Sequence, residues 1–190
     1  MKDEKRSGYG NSSVHRLVLS AIFLAYGMVL PYLTGQIEHV GKMMLPMHIP
    51  VLVCGMLCGW KYGLAVGAVL PLFRSLTLGM PMLYPTAIEM TFELAMYGLM
   101  AGLIYNSLKR KNIFTAYRSL IGAMVSGRVV LGLAQIVVRG LGDTKFTWDM
   151  FVAGAFVNAV PGIILQLVLV PAIMTVLNYT GSLQREKRKR

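Results

Sequence analysis

The sequence predicts an all-α integral membrane protein: one domain, a bundle of six transmembrane helices, both termini cytoplasmic. Three observations carry that expectation. The 190 residues are 55% hydrophobic and only 14% charged, with a mean hydropathy of +0.59, whereas a soluble domain carries about 25% charged residues. The apolar residues gather into runs that leave room for about six spans of about 20 residues each. Basic residues punctuate those runs unevenly. Lys2, Lys5, Arg6, Arg16, Lys61, the Lys109-Arg110-Lys111 loop, Arg118 and the terminal REKRKR fall on one side, and only Lys42 and Lys145 on the other. Lys and Arg accumulate on the cytoplasmic side of short loops, so both ends lie inside, as an even number of spans requires.

In order, residues 1–13 form a polar tail and helix one covers 14–33. The segment 34–46, TGQIEHVGKMMLP, is too polar to span and too long for a tight turn, and is read as an outward loop. Helix two is short, 47–60, and Lys61 and Tyr62 mark the turn into helix three, which ends near Leu78. The turns Gly79-Met80-Pro81 and Tyr84-Pro85 lead into helix four, 85–108. Helix five runs 117–141, the 142–148 turn carries Asp143, Thr144 and Lys145, and helix six covers 149–177. The transmembrane domain is 14–178, and 179–190 is a basic cytoplasmic tail placed at anionic lipid headgroups.

The stretch 71–98, PLFRSLTLGMPMLYPTAIEMTFELAMYG, departs from this apolar background by carrying Arg74, Glu89 and Glu93. A charge near the middle of a spanning helix costs about 2.5–3.5 kcal/mol on insertion scales, so it needs a partner, cavity water or a ligand. Glu89 and Glu93 are four apart and share a helical face. Placed by depth, His48, Arg74, Glu89, Glu93, Gln135, Arg139 and Asn158 fall in the outer half and Arg128 nearer the middle, with Gln166 the exception. These eight residues, Gln166 aside, are the candidate substrate-binding set. The competing reading is that Glu89 and Glu93 pair with Arg74 and Arg128 only to hold the bundle together. Arg74, Arg128 and Arg139 exceed the two glutamates by one positive charge, which a singly anionic ligand such as pantothenate offsets. If Arg139 instead snorkels to the headgroups, the balance favours a neutral, pyridoxine-like ring stacked on Tyr84, Phe92 or Trp148.

Other patterns exclude function classes. HExxH and the nucleophile elbow are both missing, so no catalytic residue is assigned. Cys54 and Cys58, without acidic or His neighbours, read as small helix-packing residues, and no metal or cofactor is expected. Gly55, Gly59, Gly63 and Gly67 repeat every four residues and read as close helix packing. The formal charge of +11 lies in tails and loops, which sets topology and excludes a nucleic-acid partner. The first apolar run is long and has no cleavage-site pattern, so it reads as a span and not as a signal peptide. Ala21 and Ala25 form a small-residue strip, AIFLA, on helix one. Three classes stay open on the residues alone: a solute-binding subunit, a self-sufficient permease, and a membrane enzyme using Glu89, Glu93 and His48.

The AxxxA strip, the six helices, the long outward loop and above all the run LPMHIPVLVCGMLCGWKYGLAVGAVLPLFRSLTLGMP resemble the substrate-binding S components of energy-coupling factor (ECF) vitamin transporters. The resemblance implies a bacterial plasma-membrane subunit that binds a small vitamin-like solute and hydrolyses nothing. It also implies that Ala21 and Ala25 lie against a transmembrane coupling subunit driven by two cytoplasmic ATPases. The 34–46 loop would act as a lid, and the subunit would topple in the membrane to deliver its substrate.

Overall fold

A computed structural model of the chain describes residues 13–34, 46–108, 112–140 and 159–187. Among these residues the secondary structure is helical throughout: α1 Ser13–Thr34, α2 His48–Cys58, α3 Trp60–Leu78, α4 Ile88–Ser107, α5 Ile113–Gly140 and α6 Val160–Lys187. An irregular turn, Leu83–Ala87, leads into α4, with Tyr84 extended inside it. The six expected helices are therefore present. Two of the described boundaries differ by more than three residues. Helix five starts four residues earlier than the sequence reading placed it, and α6 continues through Lys187 into the segment read as a tail. Asn158, Trp148, Lys42, Lys145, the first residues of the expected sixth helix and nearly all of the 34–46 loop lie outside the described residues.

The bundle is apolar on its outside. Val14, Leu17, Val18, Ile22 and Val29 on α1, Ile121, Val125, Val129 and Leu133 on α5, and Val160, Ile164, Val168 and Val176 on α6 are all exposed. Soluble monomers rarely expose contiguous apolar faces of that extent, whereas lipid is the solvent such faces fit. Four stretches are long and apolar enough to cross a membrane: Ser13–Pro31, Leu83–Ser107, Ile113–Arg139 and Val160–Tyr179. This is a membrane protein.

At the centre stands α2. Its 11 residues reach about 16 Å at 1.5 Å per residue, half of a hydrocarbon core of about 30 Å, and all but Leu57 are buried. One side of α2 (Ile49, Leu52, Val53, Met56) packs with Tyr97 and Ala101 of α4, Leu120 and Met124 of α5, and Val170 and Met174 of α6. The other side (Val51, Cys54, Cys58), with Met47 just before the helix, packs with Val66 and Leu70 of α3 and Leu94 of α4. Both cysteines are free and buried, in agreement with a packing role.

Within lipid, apolar burial drives helices together only weakly, and close van der Waals fit decides. The glycines provide it. A Cβ at Gly55 or Gly63 would collide with the carbonyl of Gly98 on α4, one at Gly67 with that of Leu94, and one at Gly102 with the Trp60 backbone. Gly59 departs from the four-residue pattern in its role. It has φ +103 and open space around it, and it reverses the chain so that α3 folds back along α2. Only glycine takes that backbone conformation without strain.

Candidate functional site

Buried charged side chains, among the described residues, concentrate at the end of the bundle where α3 passes to α4. Glu89 lies in the first turn of α4 and Glu93 one turn further, both on the face turned to α5. Because α5 runs back toward that end, Arg128, Gln135 and Arg139 meet them from the neighbouring helix.

The upper pair is a two-pronged ion pair. Arg139 donates from Nε to Glu89 Oε1 at 2.7 Å and from Nη2 to Oε2 at 3.0 Å, and Gln135 Nε2 stands 3.4 Å from the same Oε2. Glu89 is only 2% exposed. The alternative in which Arg139 snorkels away to the headgroups is therefore not what the structure shows: a buried carboxylate holds both sides of its fork. Such bidentate pairs are the strong form of the interaction.

Deeper in, Arg128 Nη1 lies 2.9 Å from Glu93 Oε1, and His48 Nε2 approaches the same oxygen at 3.6 Å. The first is an ion-pair contact whose N–H direction misses hydrogen-bond alignment, since Oε1 has no aligned donor. His48 stands edge-on to Tyr97, with ring centroids 5.0 Å apart and planes at 84°. This layer is poorly satisfied. Both ring nitrogens of His48, the Tyr97 hydroxyl, and Nε and Nη2 of Arg128 are buried without a hydrogen-bond partner. So are both amide atoms of Gln166, which sits one turn before the core residue Val170. Each such group forfeits about 1–3 kcal/mol, so a cluster of them marks a place where a partner is to be supplied.

Arg74 behaves differently from the expected ion pair with a glutamate. Its Nε donates to Met80 O at 3.1 Å and its Nη1 to Met28 O at 2.9 Å. The second contact reaches α1 one residue past Gly27, whose carbonyl Pro31 leaves without its ladder donor. Among the described residues no carboxylate pairs with Arg74. It clips α1 to the α3–α4 turn, and Tyr84 fastens the same turn to α5 by donating to Val138 O at 2.6 Å.

Of the candidate set, the structure thus brings His48, Glu93 and Arg128 together, joins Glu89, Gln135 and Arg139 one turn away, and holds Arg74 separately on backbone carbonyls. Phe92 is 52% exposed, unlike its buried neighbour Glu93, and Asn158 is outside the described residues. Tyr97 was missed. It lies on the face of Glu89 and Glu93 at the next four-residue step, which is the signal that finds it. Among the described residues, no His, Cys, Asp and Glu group suits a metal ion. Buried polar contacts toward the opposite end include neutral ones: Ser119 donates to Ala101 O at 2.6 Å, and Tyr105 pairs with Asn178.

The described residues thus form a helical membrane protein whose buried charges gather near one end of the bundle. Comparison with known families identifies it further. Residues 15–174 match the family described as ECF transporter, substrate-specific component, and the chain belongs to that family. It is a substrate-binding transport subunit, and the family is not one of enzymes. No curated protein and no solved structure gives a match to this chain.

Proposed function

We propose that this chain captures a small water-soluble vitamin or related micronutrient at the outer side of a bacterial plasma membrane and delivers it by toppling. The work is supplied by a transmembrane coupling subunit and two cytoplasmic ATPases. The orientation follows from the basic residues, which put both termini inside and the α3–α4 turn outside. The observation that carries the reading is the gathering of Glu89, Glu93, Arg128, Arg139 and His48 at that outer end. The core toward the inner end is apolar around Met56, Leu120, Val170 and Met174, so a continuous permease path has little to line it.

The charge balance favours an anionic substrate. Two arginines are matched by the two glutamates and Arg74 is not, which leaves one positive charge in excess. An uncompensated charge in this setting is costly, and a ligand of opposite sign relieves it. Mass spectrometry of the small molecule that co-purifies in detergent tests the proposal, together with uptake by vesicles that hold the coupling subunit and ATPases. The expected result is a singly anionic vitamin whose uptake requires ATP. Uptake without the ATPases overturns the subunit reading, and a cationic or neutral co-purifying ligand overturns the charge argument.

A further inference from the structure

We infer that the unpartnered side of the Arg128 guanidinium receives a carboxylate of the substrate, seated at the buried start of α2 beside the contacting rings of His48 and Tyr97. The inference rests on the transport reading above and adds which chemical group of the ligand is read, and by which residue.

The three arginines differ in what they have left to give. Arg139 spends Nε and Nη2, the side-on fork, on the two oxygens of Glu89. Arg74 spends Nε and Nη1 on the carbonyls of Met80 and Met28. Arg128 uses Nη1 toward Glu93, and its Nε and Nη2 are buried without a partner. Those two nitrogens are the same fork that Arg139 closes on a carboxylate eleven residues further along the helix. A guanidinium has five donors and no acceptor, and the spacing of the fork matches two oxygens of one planar anion. The internal Glu89–Arg139 pair is thus a template for what the open fork takes.

The surroundings favour the same sign. In either neutral tautomer His48 carries one N–H, and both of its ring nitrogens lack partners, as does the Tyr97 hydroxyl. His48 is also the first residue of α2, whose N-terminus no side chain caps. Apart from Pro50, which has no N–H, the first-turn N–H groups of α2 have no acceptor within the helix, and they carry its partial positive charge. Interrupted or half-length membrane helices present that end to the anionic groups of substrates. Glu93, already engaged with Arg128, is the one carboxylate in the layer. Donors therefore outnumber acceptors, which suits a carboxylate and leaves a cationic group unpaired.

The test uses the full-length protein in lipid nanodiscs, equilibrated with a mixture of pantothenate, biotin, nicotinate, pyridoxine, riboflavin and thiamine. Mass spectrometry reads what is retained. The retained vitamin is then titrated beside its carboxyl-blocked form, the methyl ester or, for pantothenate, the alcohol pantothenol. We expect a carboxylate to be retained and blocking to weaken binding on the order of 100-fold, the scale of removing one partner from a buried charge pair. Arg128→Lys, which keeps the charge beside Glu93 but loses the fork, is expected to weaken the free acid on the same scale and the blocked form hardly at all. That difference separates recognition from folding, because a merely structural defect lowers both alike. Retention of a vitamin without a carboxylate, or equal binding of acid and blocked form, overturns the inference and leaves the transport reading standing. Retention of none of the six overturns the vitamin reading and this inference with it.

Discussion

Glu89 and Glu93 are chemically alike and one turn apart, yet they take different partners and carry different consequences. Glu89 is closed by a bidentate arginine and a glutamine, whereas Glu93 shares an oxygen between Arg128 and the approach of His48. Removing one member of a buried pair strands the other, at a cost of about 3–5 kcal/mol. Arg139 is one-fifth exposed, so the lower part of that range applies to it. Arg139→Gln is expected to lower the denaturation midpoint in detergent, and Glu89→Gln likewise. The double variant should lose clearly less than the sum of the two, because no lone charge then remains. Strict additivity would mean that the pair contributes no coupling. The sequence indicated which residues are charged and at which depth, because a charge in an apolar run is conspicuous. It did not indicate the pairing. Whether Arg74 or Arg139 meets Glu89 depends on the rotation and crossing of α3, α4 and α5, and these are set by tertiary packing that leaves no local trace. The backbone acceptors of Arg74, Met28 and Met80 O, were illegible for the same reason.

At the scale of the helices, legibility followed hydropathy. Spans bounded by polar loops were found, including the short α2, because leaving the apolar region changes composition abruptly. Where a helix runs on into water there is no such change. The last residues of α6, QREK, are good helix formers that extend a helix already nucleated, and hydropathy alone reads them as tail. The glycine spacing announced close packing, but its partner surface on α4 depended on Gly98 and Gly102, which stand opposite only in the folded bundle. Gly98 is the tightest test of that seam. A Cβ there meets the backbone carbonyl of Gly63, whereas one at Gly122 meets only the end of the flexible Ile104 side chain. Backbone cannot step aside, so Gly98→Ala is expected to cost about 1–3 kcal/mol, as overpacking does. Gly122→Ala should be tolerated with a much smaller shift in the denaturation midpoint. Equal effects at the two positions would contradict the close approach of α2, α3 and α4.

At the scale of the whole molecule, the bundle is lopsided, and that bears on how it works with a partner. Helix α1 is the least enclosed: 11% of its apolar span is buried, against 44% for Leu83–Ser107 and 28% for each of the two later spans. Ala21 and Ala25 are exposed on it, within a face that also presents Val18, Ile22, Tyr26 and Val29. No helix of this chain therefore covers the two alanines among the described residues. Lipid alone makes no demand for small side chains, whereas a second helix approaching closely does. We accordingly expect this strip to receive the coupling subunit. Ala21→Trp and Ala25→Trp each add a bulky ring outside the bundle, which leaves the Glu93–Arg128 layer untouched and blocks close approach. ATP-driven uptake in vesicles holding the whole complex should fall to background, while vitamin binding by the isolated subunit stays within about twofold, as expected of a surface change away from the site. Loss of binding in step with uptake would place the alanines in the internal packing instead. Uptake unchanged by both tryptophans would show that the partner docks elsewhere on the bundle, and the exposure of α1 would then be a matter of lipid contact alone.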